Sequence, residues 1–172
     1  QEYWQLKNLR GMDVRFMAEE EQLLLRKFPY FKGLSEPQRK RFLIRLKGFK
    51  RSKHIVGAEG LEVTDEMKTL IAASAIQLTF GLESYWLGFS REIVIHPDIF
   101  HNAMLDQYHK GETNTKGRIR LSWKHFMEGY ENGNDKLNLG LHELAHALDL
   151  SRVFDDSDYH FKAYFEKWQM IA

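Results

Sequence analysis

"LNLGLHELAHALDLS", residues 137–151, places two histidines four apart with a glutamate directly after the first. On a helix that spacing stacks His142 and His146 one turn apart on one face. Two imidazoles so placed can reach one tetrahedral ion at about 2.0–2.1 Å. Glu143 lies about 100° further round the axis, off the histidine stripe and suited to touch a water beside it. A helical wheel separates the stretch into two sectors. Asn138, His142, His146 and Asp149 fall in one. Leu137, Leu141, Leu144 and Leu148 fall in the other, giving a face to bury and a face holding every candidate ligand. The bland alternative is a structural histidine pair held by Asp149 or a backbone carbonyl.

If zinc is bound, the roles follow. His142 and His146 ligate as neutral imidazoles. Glu143 takes a proton from water and passes it to the leaving amine. Asn138 and Asp149, about one turn away, are candidates to fix an imidazole tautomer from behind. A catalytic zinc takes a third protein ligand and keeps one position open. In the longer HExxHxxGxxH pattern that third histidine would stand at Arg152 and the glycine at Asp149, so the pattern is absent. Asp155, Asp156, Asp158, His160 and Glu166 remain as third-ligand candidates on composition alone.

Composition fits this reading. A chain of 172 residues is long enough for one domain with a real core. With 25 Lys+Arg against 24 Asp+Glu, no nucleic-acid or membrane partner is suggested. There is no cysteine, which excludes disulfides and thiolate metal sites and leaves His, Asp and Glu as donors. The longest apolar stretch, "LIAASAIQLTFGL" at 70–82, is too short to span a bilayer. A cytoplasmic location is the default expectation.

Outward from the motif, the chain reads as α+β. "MAEEEQLLLRKF" and "SEPQRKRFLIRLKGFKR" are predicted helices. Ser35 is the N-cap of the second, and Phe42, Leu46 and Phe49 form its apolar stripe. Its basic residues, from Arg39 to Arg51, read as a solvated face. "VTDEMKTLIAASAIQLTFGL" is a buried helix capped by Thr64 or Asp65 and ended by Gly81. "REIVIHPDIF" is a strand stopped by Pro97, and "GRIRLSW" a half-buried strand. The polar "HKGETNTKG" between them reads as an exposed loop or hairpin connection. "GYENGND" is a turn, and "YHFKAYFEKWQMIA" a final helix without a stop signal.

Four segments, in order, carry a resemblance: "GAEGLEVTDEMKTLIAA" at 57–73, "IVIHPDIF" at 93–100, "GRIRLSW" at 117–123 and "LGLHELAHALD" at 139–149. Together they resemble the Mlc titration factor A family, glucose-regulated zinc metallopeptidases of bacteria. The resemblance implies a zincin-like metallopeptidase domain of gluzincin type, with aminopeptidase-like activity on peptide substrates. It implies N-terminal helices, a small mixed sheet and an HExxH active-site helix, within a single domain over 1–172. It implies His142 and His146 as zinc ligands and Glu143 as general base. The family's third ligand is a glutamate on a later helix, and Glu166 in "AYFEKWQ" does not match its surroundings. The expectation is a chain that continues past Ala172. The resemblance also implies a regulatory alternative, binding of a transcriptional repressor of the Mlc type. In zinc peptidases of this kind an edge strand lies beside the cleft and pairs with substrate. "GRIRLSW" is the expected edge.

Overall fold

The computed structural model describes residues 14–103, 105–131 and 138–154. Three helices open the described chain: α1 (Val14–Lys27), the short α2 (Pro29–Lys32) and α3 (Glu36–Ser52). Strand β1 (His54–Gly57) and helix α4 (Asp65–Thr79) follow. Then come β2 (Glu92–His96), β3 (Phe100–Asn102), β4 (Gln107–His109), β5 (Gly111–Thr113) and β6 (Arg118–Ser122). Helices α5 (Trp123–Glu131) and α6 (Leu139–Phe154) complete it.

The four-stranded sheet has the order β1-β2-β6-β5. β1 pairs parallel with β2, and β2 with β6, while β5 runs antiparallel to β6. β3 and β4 form a separate antiparallel hairpin that leads straight into β5. Strand alternation sends Ile93, Ile95, Ile119 and Leu121 into the core. The opposite face carries Val94, His96, Arg118 and Arg120, so only one side of the sheet is apolar.

Helix α4 is the centre of that core. Thr64 caps it, its hydroxyl accepting from Met67 N–H at 3.2 Å. Small residues from Ala72 to Ala75 are fully buried, which lets α4 pack closely between α3 and α6. It ends at Thr79, just ahead of Gly81. On α3, Phe42, Leu46 and Phe49 are buried as their spacing predicts. Ser35 does cap α3: its N–H donates to the Gln38 side chain at 2.8 Å, half of a capping box.

The basic face of α3 needs correction. Arg45 is 2% exposed, and its guanidinium donates to the carbonyls of Thr79, Phe80 and Leu82, closing the end of α4. Lys50 binds Glu20 at 2.7 Å, Asp65 at 3.0 Å and Thr69 at 3.0 Å, tying α1 to α4. Long cationic side chains can bury their stems and still find partners, so charge alone does not mark a solvated face.

Two strand expectations are also overturned. "GRIRLSW" holds β6, which lies between β2 and β5 and is therefore interior. The edge on that side is β5, "GET", in the first part of the stretch expected to be an exposed loop or hairpin connection, and residues 114–117 of that stretch do connect the hairpin from β5 to β6. The candidates Asp155, Asp156, Asp158, His160 and Glu166 lie outside the described residues, as does the expected final helix. No helix among the described residues is long and apolar enough to cross a membrane.

Candidate functional site

Asn138 starts the helix that carries the histidines. Its side-chain oxygen accepts from Leu141 N–H at 3.0 Å, and its carbonyl from His142 N–H at 2.9 Å. It is thus the N-cap of α6. Below the cap, Leu144, Ala147 and Leu148 bury the apolar face of α6 against the core. Gly140 makes the close approach to α5 possible, since a Cβ there would fall 2.3 Å from the Phe126 ring.

His142 and His146 stand exposed on the opposite face. Their Nε2 atoms are 3.1 Å apart, and the rings are nearly perpendicular at 89°. Two ligands on one tetrahedral ion at about 2.05 Å would be separated by about 3.3 Å, so the pair fits a shared metal. Among the described residues no group of three or more His, Asp or Glu side chains converges on such a point.

Glu143 behaves differently from its neighbours. It is 6% exposed and lies under β5. The Thr113 hydroxyl is 3.0 Å from both Glu143 Oε2 and the Glu143 carbonyl oxygen, clamping strand to helix. Burial pushes the carboxyl pKa above its ordinary value, while the Thr113 hydroxyl and then the two imidazoles pull it back. Gly111 supplies the room: a Cβ there would meet Glu143 Cδ at 2.7 Å.

Glu143, His146, Gly111 and Thr113 border an open cleft of about 340 Å³. Its walls include His109, Gly111 and Thr113 from the strand side, and Glu143, His146 and Asp149 from α6. Asp149 is exposed at the rim. The edge of β5 faces this space. Ser122 N–H donates to Lys110 O at 2.7 Å, and Asn114 N–H to Arg118 O at 3.0 Å. In an antiparallel ladder the alternate residues, Gly111 and Thr113, then turn their N–H and C=O groups outward.

Behind the edge runs a polar chain. Arg120 Nε donates to His96 Nε2 at 3.2 Å, and His96 Nδ1 lies 2.9 Å from Glu59. Arg120 is also 3.5 Å from Glu112, which Asn102 holds at 2.8 Å. Sequence reasoning missed Gly111, Thr113 and His109. A three-residue strand shows no alternation to detect, and Gly-Glu-Thr-Asn reads as a turn.

Comparison with known proteins places the chain among metallopeptidase-like proteins. It belongs to the glucose-regulated metallo-peptidase M90 family, whose model matches residues 3–169. The family implies a metal cofactor. The chain is also similar to the uncharacterized protein slr2042 of Synechocystis, 27% identical over 136 residues. That match covers 72% of this chain and 50% of the relative, so the chain spans about half that protein's length.

Proposed function

We propose that the chain carries the active site of a zinc peptidase of zincin-like fold and gluzincin type, with aminopeptidase-like action on peptides. The observation that carries this reading is the meeting of three groups at one open strand edge. Two imidazole nitrogens converge at 3.1 Å, beside a glutamate that is buried yet borders the cleft. His142 and His146 would hold the metal, whose all-nitrogen donors here suit zinc. Zinc, when bound, supplies a Lewis acid that polarises a carbonyl and lowers the pKa of water to roughly 7.

The chain's own groups do the rest. Glu143 accepts the proton of the attacking water and returns it to the leaving amine. Burial of its carboxyl strengthens it as a base, and Thr113 keeps it aimed. Gly111 and Thr113 offer an unpaired backbone edge that hydrogen-bonds an extended peptide as an added strand. The side-chain-free Gly111 brings that edge close to Glu143.

The test is Glu143→Gln in the zinc-loaded protein. Zinc content stays at the wild-type level, and kcat/KM for peptide hydrolysis falls about 10²–10⁴-fold. Hydrolysis at the wild-type rate by the Gln variant overturns the mechanism. Binding of a repressor protein with no hydrolysis at any peptide would favour the regulatory reading instead.

A further inference from the structure

Glu112 is the middle residue of β5 and lines the cleft between Gly111 and Thr113. Its carboxylate is held at one oxygen. Oε2 accepts from Asn102 Nδ2 at 2.8 Å and lies 3.5 Å from Arg120 Nη1. Oε1 accepts no hydrogen bond from the described residues and is not buried. We infer that Glu112 selects the substrate, pairing with a lysine or arginine side chain on the residue that stands opposite it in a peptide lying along β5. This rests on the peptide-binding edge proposed above and names the class of peptide that the edge takes.

The sheet register supports the assignment. Val94 stands opposite Arg120, and Arg120 opposite Glu112. Side chains directly opposite one another share a face of the sheet, so the three form one row on the polar face. The row ends at Glu112 because β5 is the last strand on that side. An added peptide strand extends it by one residue. Gly111 and Thr113 supply the outward hydrogen bonds, so in an antiparallel addition the residue opposite Glu112 takes the non-hydrogen-bonded position, where side chains lie closest. Charge then alternates along the row, from guanidinium to carboxylate to the cation of the peptide.

Arg120 does not saturate Glu112. The 3.5 Å contact is longer than the roughly 2.7–2.9 Å of a close charge-assisted bond. The Arg120 Nε is committed to His96 at 3.2 Å, and the guanidinium lies over the Phe100 ring at 4.0 Å. The cleft itself is acidic. Glu112, Glu143 and Asp149 line it, and no lysine or arginine does so among the described residues. Burial is the main reason that the Glu143 carboxyl pKa is raised, and the charge of Glu112 adds to it, so that charge is felt within the cleft.

The experiment uses the zinc-loaded Glu143→Gln protein, which holds peptide without cutting it. The probes are unblocked alanine hexapeptides carrying one lysine, walked from the first position to the last, beside the same peptides with norleucine in its place. Calorimetry then shows lysine bound about fivefold more tightly than norleucine at one position. Added salt erodes that ratio. With Glu112→Gln, which keeps an acceptor for Asn102, the ratio falls to about one, and Glu112→Asp, which keeps the charge, restores part of it. The same ratio in the Glu112→Gln protein overturns the inference. So does the absence of any position that favours lysine, a preference that follows only the free amino terminus, or no hexapeptide binding at all. Wild-type hydrolysis is scored separately. Lysine-selective binding that depends on Glu112, without cleavage by the wild type, would sink the catalytic reading and leave this one standing. Cleavage with no such selectivity would do the reverse.

Discussion

Gly111 and Glu143 are in contact across the strand-helix junction: a Cβ at Gly111 would lie 2.5 Å from Glu143 Cγ and 2.6 Å from its Oε1. The neighbours at risk are the stem and the head of the same carboxylate side chain. It cannot move aside without leaving the Thr113 hydroxyl at 3.0 Å. A strand is normally weakened by glycine, so glycine here marks a close approach.

Gly111→Ala is therefore expected to displace Glu143 and cut peptide hydrolysis at least tenfold. Overpacking at such a junction costs about 1–3 kcal/mol of stability. Zinc content should be unaffected, since the three atoms nearest a Cβ at Gly111 all belong to Glu143 and none to His142 or His146. Steady-state kinetics beside urea denaturation reads both effects. An alanine variant with wild-type kcat/KM would show that the carboxylate has room to spare.

Metal should act on stability as well as on rate. A ligand that binds only the folded chain stabilises it by about 2.7 kcal/mol at 100 times its Kd. For a chain of this size that raises Tm by about 5–10 °C. Thermal unfolding of the metal-stripped protein, with and without added zinc, should show this rise, and His146→Ala should abolish it. The same rise in His146→Ala would remove that histidine from the site.

The fold is legible in the sequence where it rests on helical spacing. Phe42, Leu46 and Phe49 repeat at the helical period and are buried accordingly. Leu144 and Leu148 likewise separate from His142 and His146 as the wheel requires. The strand side was not legible, because its information is tertiary. β1, "HIVG", follows a basic helix with no turn signal and is recognised only through its pairing with β2. β5 is three residues long and is a strand because β6 lies beside it. Arg45 reads as surface charge until the carbonyls at the end of α4 are placed against it. Each miss is tertiary in origin: the partner lies more than thirty residues away, or the element itself is shorter than one detectable repeat.

Lys53 gives a prediction independent of the cleft. Its ammonium donates to the carbonyls of Leu87 at 2.8 Å and Ser90 at 2.6 Å, and lies 5.1 Å from the Phe49 ring. Burial, with the charge of Arg91 adding to it, lowers its pKa from 10.5 to about 8. Below pH 8 both folded and unfolded chains carry the proton, and folding bears the full cost of burying the charge. Between about 8 and 10.5 the folded chain has released a proton that the unfolded chain still binds. Stability therefore rises with pH across that window. Lys53→Met removes the rise. The wild type should gain on the variant by on the order of 1–2 kcal/mol from pH 7.5 to 10.5, allowing for the water that still reaches the ammonium. Urea midpoints of the two proteins at matched pH measure the difference, and the other lysines and tyrosines cancel in it. A constant gap between wild type and variant over that range would mean that Lys53 titrates as an ordinary surface lysine.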